Sequence, residues 1–186
     1  IAPPNPKLSR NLTLVTPIMF NFAQTHRLAR FAFLSVLLCL PATACAFDVR
    51  VLHSLLDGVL ERNVKDGYVN YPAIARNARF YKYIEAISEF DADTLDSIEA
   101  RLAFWINAYN AFTLDAIAKE YPSRAVWKTR DGQFFQRRSH LAGGETLSLD
   151  DIEHEVLRGD FREPRIHFAI NCGSNGCPPV RPTAYR

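Results

Sequence analysis

Apolar residues recur every three or four positions between residues 49 and 121, which predicts that helices form this half of the chain. Asp48 can cap the first helix, and Pro72 suits the first turn of the second. Asp93 can cap the third and longest helix. We expect this helix to end near Tyr121, because a residue that precedes a proline is pushed out of the helical region. Its apolar positions are Leu95, Ile98, Leu102, Trp105, Ile106, Tyr109, Phe112 and Ile117.

Two glycine-containing dipeptides predict turns. Asp66-Gly67 follows the first helix and precedes a short extended segment at residues 68–71. Gly143-Gly144 lies in the second half of the chain, where short strands are predicted around it and at Gln133–Phe135. The second half therefore differs in character from the helical first half.

A short helix is predicted from Ser148 to about Arg158. Ser148 can cap it, and Asp151 stands at the reciprocal position of a capping box. Gly159 suits the end of such a helix, since glycine adopts the left-handed conformation readily.

A strand is predicted from Arg165 to Asn171. Its apolar residues Ile166, Phe168 and Ile170 alternate with His167 and Ala169. Together these elements predict an α+β fold, with N-terminal helices that include one long central helix, followed by a small sheet. Because the chain stops soon after this strand, at Arg186, we expect further elements of the natural domain to cover it.

Residues 27–46 have the order of a cleavable export signal. Arg27 and Arg30 supply a positive start, and Phe31–Leu40 is apolar but too short for a stable membrane-spanning helix. Ala44-Cys45-Ala46 then offers small residues at the usual cleavage spacing, which predicts a periplasmic or secreted product beginning at Phe47 with no membrane span. Attachment of a lipid to Cys45 is the less favoured alternative.

The signal divides the sequence into three parts. Met19, the only methionine, precedes the signal, so we expect residues 1–18 to lie outside the natural product and residues 19–46 to be its leader. Residues 47–186 then form a single domain that is incomplete at its C-terminus.

The charge of the chain is divided unevenly. Its net charge is +2, but residues 1–46 contain four bases and no acid, so residues 47–186 carry slightly more acidic than basic side chains. A near-neutral domain lacks the electrostatic footprint of a nucleic-acid-binding protein. No phosphate loop, dinucleotide fingerprint or zinc-protease helix is present in the sequence, so we predict no cofactor.

Cys172 and Cys177 lie in a glycine-containing loop directly after the predicted strand. Such a loop can expose a thiolate nucleophile, with backbone N–H groups available to stabilise an oxyanion. In an oxidising compartment the same two cysteines can instead form a disulfide. A zinc site that adds His167 or His154 is a third, weaker alternative.

A reactive thiolate needs a base or a cationic neighbour. His154 is the first candidate, because Asp150 lies one turn before it on the predicted helix and Asp151 is nearby. A solvated polar helix face explains the same pattern. His167 is a second candidate base, on the opposite strand face from Ile166, although it can equally be a half-buried structural histidine.

Asn107 and Asn110 share one face of the long helix within an otherwise apolar segment. Buried amides must find hydrogen-bond partners. Either residue could orient the base or stabilise an oxyanion. Alternatively, they brace loop backbone against the helix, which we favour for at least one of them.

Three ordered blocks of this sequence resemble the family of the domain of unknown function 547. The blocks are Phe104–Leu114, Leu147–His154 and Arg165–Ser174 with Cys177-Pro178-Pro179. The resemblance runs from about Phe104 to Tyr185. It implies no established activity, and it suits either an enzyme or a scaffold.

The Cys, His and Asn set is analogous to that of papain-like and transglutaminase-like thiol enzymes, so we expect a similar fold. One hypothesis is an exported hydrolase or acyl transferase on amide or ester bonds. In it Cys172 attacks, His154 is the base, Asp150 or Asp151 orients the base, and Asn107 or Asn110 supports the site. The alternative is a non-catalytic envelope binding domain with a structural disulfide, whose partner is an unidentified small molecule, peptide or envelope component.

Overall fold

The first described helix begins where the sequence predicts it. The computed structural model describes residues 48–123 and 125–186, so the predicted leader and the alternative at Cys45 lie outside the described residues. Helix α1 comprises Val49–Asn63, and the carboxylate of Asp48 accepts a hydrogen bond from the backbone N–H of Arg50 at 2.8 Å. This bond satisfies one of the backbone donors that a helix start leaves unpaired.

A hairpin follows α1. Strand β1 (Val64–Lys65) pairs antiparallel with β2 (Tyr68–Val69). Asp66 and Gly67 form the predicted turn, and both have positive φ, at 51° and 79°. Positive φ at both central residues gives a twist that matches a two-residue hairpin.

The second predicted helix is divided in two. Helix α2 comprises Tyr71–Ile74, with Pro72 in its first turn as predicted, and α3 comprises Ala78–Glu89. Asn77 separates them, because its side chain accepts hydrogen bonds from the backbone N–H groups of Arg79 and Phe80 at 3.0 and 3.1 Å and so starts a new helix.

The long helix, α4, comprises Ile98–Glu120. The prediction of its N-cap at Asp93 is wrong. Ser97 caps it, accepting from the N–H of Ala100 at 3.1 Å, while Asp93 lies in a separate 3-10 turn, Ala92–Thr94. The predicted end at Tyr121 is confirmed. Most α4 side chains between residues 103 and 118 are buried, as expected of a central helix that is apolar on every face.

The second sheet is also a hairpin. Strand β3 (His140–Ala142) pairs antiparallel with β4 (Glu145–Leu147) around the predicted turn at Gly143-Gly144. Each glycine N–H donates to a carbonyl near the end of α3, which fastens the hairpin to that helix. The strand predicted at Gln133–Phe135 is wrong, because these residues form a turn that buries Phe134 completely.

The short predicted helix is present as a π-helix, Asp151–Asp160. Its capping box is confirmed. The Asp151 N–H donates to Ser148 Oγ at 2.9 Å, and the Ser148 N–H donates to Asp151 Oδ2 at 2.8 Å. The helix continues through Gly159 rather than ending there.

The strand predicted from Arg165 to Asn171 is wrong. Glu163 caps a 3-10 helix, Pro164–Phe168, by accepting from the Arg165 N–H at 2.9 Å. Ile166 and Ile170 are buried, but Phe168 is 80% exposed, so the apparent alternation does not define one face. Because this segment is not a strand, it has no strand edge to be covered, and the incompleteness of the domain at its C-terminus stays a prediction.

Two separate two-stranded hairpins and five helices (α1 to α4 and the π-helix) make this an α+β fold within the described residues. Helix α1 packs against α3, and α4 contacts α2, α3 and the π-helix. One apolar core runs through these elements and includes Leu52, Phe80, Phe112, Leu149 and Ile166. Among the described helices, none is both long enough and apolar enough to cross a lipid bilayer.

Candidate functional site

The candidate site is centred on the loop Asn171–Pro179, which we call the Cys loop. Cys172 and Cys177 are joined in a disulfide, with 2.07 Å between the two sulfurs. The loop is also closed by hydrogen bonds, since the Asn171 side chain donates to the Pro178 carbonyl at 2.6 Å and accepts from the Gly173 N–H at 2.9 Å. Cys172 is therefore not a thiolate in this structure, and its sulfur is not available as a nucleophile or as a zinc ligand.

Asn110 holds the start of the Cys loop against α4. Its side-chain N–H donates to the Ala169 carbonyl at 2.9 Å, and its Oδ1 accepts from the Asn171 N–H at 2.8 Å. A primary amide matches a backbone donor and acceptor in this way because it presents both groups side by side. The bracing role predicted for at least one of the two asparagines describes Asn110.

Gly173 allows the Cys loop to approach α4 closely. Its φ is +80°, and a Cβ at this position would stand 2.4 Å from Cδ1 of Ile117. Glycine is required here for two reasons, because an L side chain would adopt an unfavourable conformation and would also overlap Ile117. The loop is therefore packed onto the helix as well as tethered to it.

Asn107 braces a different backbone segment. Its amide donates to the Tyr185 carbonyl at 3.0 Å and accepts from the Tyr185 N–H at 2.8 Å. The same amide nitrogen lies 3.3 Å from Nδ1 of buried His53, which must act as the acceptor. Asn107 is thus fully used in structure, and its predicted role beside Cys172 is not what its contacts describe.

His53, which the sequence argument did not select, belongs to this buried group. Burial lowers its pKa to about 4, helped by nearby Arg186 and opposed by Asp57. Asp57 accepts from the Ala184 N–H at 2.6 Å and pairs with the Arg186 side chain. His53 is therefore neutral at pH 7 and serves as a hydrogen-bond acceptor.

A chain of polar contacts connects α4, the π-helix and the segment before the Cys loop. The hydroxyl of buried Tyr109 donates to Glu153 at 3.1 Å, and the other Glu153 oxygen accepts from Arg158 at 2.6 Å. Arg158 in turn lies 3.0 Å from Nε2 of His167. A guanidinium only donates, so this ring nitrogen is an acceptor and its lone pair is occupied. His167 is consequently oriented by Arg158 rather than poised to remove a proton.

His154 and the two aspartates do not form the predicted pair. His154 is exposed on the π-helix. Asp150 accepts from Gln136 at 2.7 Å, and Asp151 is used by the capping box and by Arg138 at 3.2 Å. The hydrogen bond from the Ser148 backbone is the main cause that lowers the pKa of Asp151. Across residues 48–123 and 125–186, no hydrogen bond joins His154 to either carboxylate or to Cys172.

The three family-like blocks do meet, but through other side chains than those predicted. Tyr109 and Asn110 on α4 reach the π-helix and the Cys loop, and Glu153 takes the inward position expected of His154. Tyr109, Glu153 and Arg158 were not among the site residues predicted from the sequence. A tyrosine on an apolar helix face needs a partner for its hydroxyl, which was the available signal for the first two.

What the site can do chemically follows from these contacts. Within the described residues no group of three or more His, Cys, Asp or Glu side chains is arranged to hold a metal ion. The amides of Asn107 and Asn110 are paired with backbone groups and the hydroxyl of Tyr109 with Glu153, and the bonds of Asn110 and Asn171 hold the Cys loop against α4. The exposed tip of the loop, Ser174–Gly176, is then presented on a rigid base.

Comparison with known proteins gives one match. Neither a curated protein nor a solved structure matches the chain, so the expected similarity to papain-like or transglutaminase-like enzymes stays a prediction. A family model described as protein of unknown function, DUF547, matches residues 93–186, which include α4, the π-helix and the Cys loop. The match covers half of the sequence, and the chain belongs to the DUF547 family.

Proposed function

We propose that this chain is an exported ligand-binding domain in which the Cys172–Cys177 disulfide is structural and no thiol chemistry takes place. The observation that carries the proposal is the bond between the two sulfurs. Disulfides persist in oxidising compartments, so this bond agrees with the export predicted from residues 27–46.

A thiol hydrolase would need three features that the contacts do not favour. It needs a free thiolate, a base with an available lone pair, and an unoccupied donor for the oxyanion. Cys172 is joined to Cys177, and His167 already accepts from Arg158. Exposed His154 makes no hydrogen bond to Cys172 within the described residues. The amides of Asn107 and Asn110 are used by backbone groups.

A rigid binding domain uses the same features well. The Cys loop is held by the disulfide, by Asn110 and by the contact of Gly173 with Ile117. Binding costs less entropy when a loop is already ordered in its bound conformation. Cys172 and Cys177 are five positions apart in the sequence. Closing a loop of this length lowers the conformational entropy of the unfolded chain, which stabilises the folded domain by about 2 kcal/mol.

Alkylation of the purified exported protein tests this proposal. Native protein is treated with iodoacetamide with and without prior reduction, and modification of Cys172 and Cys177 is followed by mass spectrometry. We expect neither cysteine to react until the protein is reduced. The His154→Ala variant should then alkylate at the same rate as the parent protein, because His154 does not contact the sulfur.

Two results would contradict the proposal. One is rapid alkylation of Cys172 in native, unreduced protein. The other is a clear slowing of that reaction by both His154→Ala and the polar change His154→Gln, because neither alanine nor glutamine can act as a base and the result would assign that role to His154.

A further inference from the structure

The tip of the Cys loop carries the one asparagine of the chain that is followed by glycine, Asn175, and both residues of the pair are exposed. Across residues 48–123 and 125–186, the side-chain amide of Asn175 makes no hydrogen bond, whereas the amide of every other asparagine makes at least one. These others are Asn63, Asn70, Asn77, Asn107, Asn110 and Asn171. The Asn175 amide is therefore accessible and unrestrained.

The fold does not require glycine at position 176. The φ of Gly176 lies outside the left-handed region, and a Cβ there would meet one atom within 4 Å, Ser174 Oγ at 3.9 Å, which is an ordinary contact. Gly173 differs, because its positive φ and its packing against Ile117 both demand glycine. What Gly176 does provide is a backbone nitrogen with no side chain beside it, directly after Asn175.

An accessible asparagine and an unhindered following nitrogen are the two requirements for loss of ammonia. The Gly176 nitrogen attacks Cγ of Asn175 and forms a C–N bond, while the side-chain nitrogen takes up the proton that Gly176 releases and leaves as ammonia. Water then adds to one of the two carbonyl carbons of the five-membered imide and breaks the bond from that carbon to the Gly176 nitrogen. Addition at Cγ gives aspartate, and addition at the backbone carbon gives isoaspartate.

The closed Cys loop opposes this reaction in the folded domain. The Cys177 N–H donates to the Ser174 carbonyl at 3.0 Å, which closes a β-turn with Asn175 and Gly176 at its centre. The attacking Gly176 N–H is itself engaged, since it donates to Ser174 Oγ at 3.2 Å. Asn175 must rotate about its backbone to bring Cγ onto that nitrogen, and the turn and the disulfide restrain the rotation.

We infer that Asn175 is a site of spontaneous deamidation whose rate is restrained by the closed Cys loop. Each event places a new carboxylate on the exposed tip, and isoaspartate also adds a carbon atom to the backbone. The charge and the shape of the tip therefore change with the age of the protein. This inference goes beyond the binding role proposed above and holds whether or not the tip binds a ligand.

Peptide mapping of the oxidised protein after incubation at mildly alkaline pH tests the inference, because exchange of the amide NH2 for OH raises the mass of the tryptic peptide. We expect conversion at Asn175 and none at Asn171, which lies in the same peptide and donates to the Pro178 carbonyl. Gly176→Ala should convert at least about tenfold more slowly, equivalent to about 1.4 kcal/mol in activation free energy, because its methyl group hinders the attacking nitrogen. Reduction of the disulfide with a thiol should raise the parent rate at least about threefold.

Urea unfolding first establishes that Gly176→Ala is folded, as its single ordinary contact predicts. Three results would overturn the inference. They are an intact Asn175 over a period in which the linear peptide 171–179, with serine at both cysteine positions, is converted; equal rates for the parent and Gly176→Ala; and equal rates for the oxidised and reduced parent. Rapid alkylation of Cys172 in the experiment above would remove the disulfide restraint but not the conversion at Asn175, so the two failures are distinguishable.

Discussion

Replacing Asn110 by alanine should destabilise the domain more than replacing an asparagine whose side chain bonds only within its own helix. Asn110 makes two hydrogen bonds to backbone groups that are 59 and 61 residues away in sequence, at Ala169 and Asn171. The change removes both bonds and leaves a backbone carbonyl and a backbone N–H in a half-buried position without these partners.

The magnitude follows from these two losses. Each hydrogen bond contributes about 1 kcal/mol net, and a buried group left unpaired costs about 1–3 kcal/mol. Because the region is only half-buried, water can partly replace the amide, so we expect a loss of about 2–3 kcal/mol in the free energy of unfolding. That is a substantial part of the total for a domain of this size, which is about 5–15 kcal/mol.

Urea unfolding of the oxidised protein, followed by circular dichroism, measures this loss. Asn63→Ala is the matched control, because Asn63 is also a half-buried helical asparagine but bonds only to the Val59 carbonyl in its own helix. Alanine favours helix in both variants, so that contribution is similar. The reasoning is refuted if Asn110→Ala is no less stable than Asn63→Ala.

Two further predictions concern packing and pH. Gly173→Ala should lower the free energy of unfolding by at least about 2 kcal/mol. The loss should be larger than for Gly144→Ala, because Gly144 has the same φ of +80° but a Cβ there would meet no atom within 4 Å. Equal losses would show that the contact with Ile117 does not contribute. Burial lowers the pKa of His53 from its usual 6.5 to about 4, so the unfolded chain binds the proton more readily than the folded domain. The free energy of unfolding should therefore fall as the pH drops from 6.5 to 4, and His53 should account for about 3 kcal/mol of this loss. Urea midpoints of His53→Gln should depend less on pH than those of the parent or of His154→Gln, and identical pH profiles would contradict this.

Local signals in the sequence were sufficient where the interacting groups are close along the chain. The reciprocal bonds of Ser148 and Asp151, the cap at Asp48 and the turn at Asp66-Gly67 all depend on residues within a few positions. The cap of α4 was assigned to Asp93 because Asp and Ser are both good caps, and nothing local distinguishes Asp93 from Ser97.

The wrong prediction of a strand at Arg165–Asn171 came from a pattern of apolar residues that fits both a strand and a helix. Buried Ile166 and Ile170 satisfy both the two-residue period of a strand and the four-residue spacing of a helix, and the Ile170 N–H in fact bonds to the Ile166 carbonyl at 3.0 Å. On the π-helix, Glu153 bonds to Tyr109 of α4, whereas its neighbour His154 lies on the exposed side. The partners of Asn107 and Asn110 lie far away in sequence and depend on the tertiary fold.

The most direct test of the central claim is the intact mass of the exported protein under denaturing, non-reducing conditions, followed by proteolysis and peptide mapping without reductant. The account predicts that Cys172 and Cys177 are found in one linked peptide and that both become alkylated only after reduction. Recovery of Cys172 as a free, alkylated thiol in unreduced protein would contradict the structural role of the disulfide and restore the thiol-enzyme hypothesis.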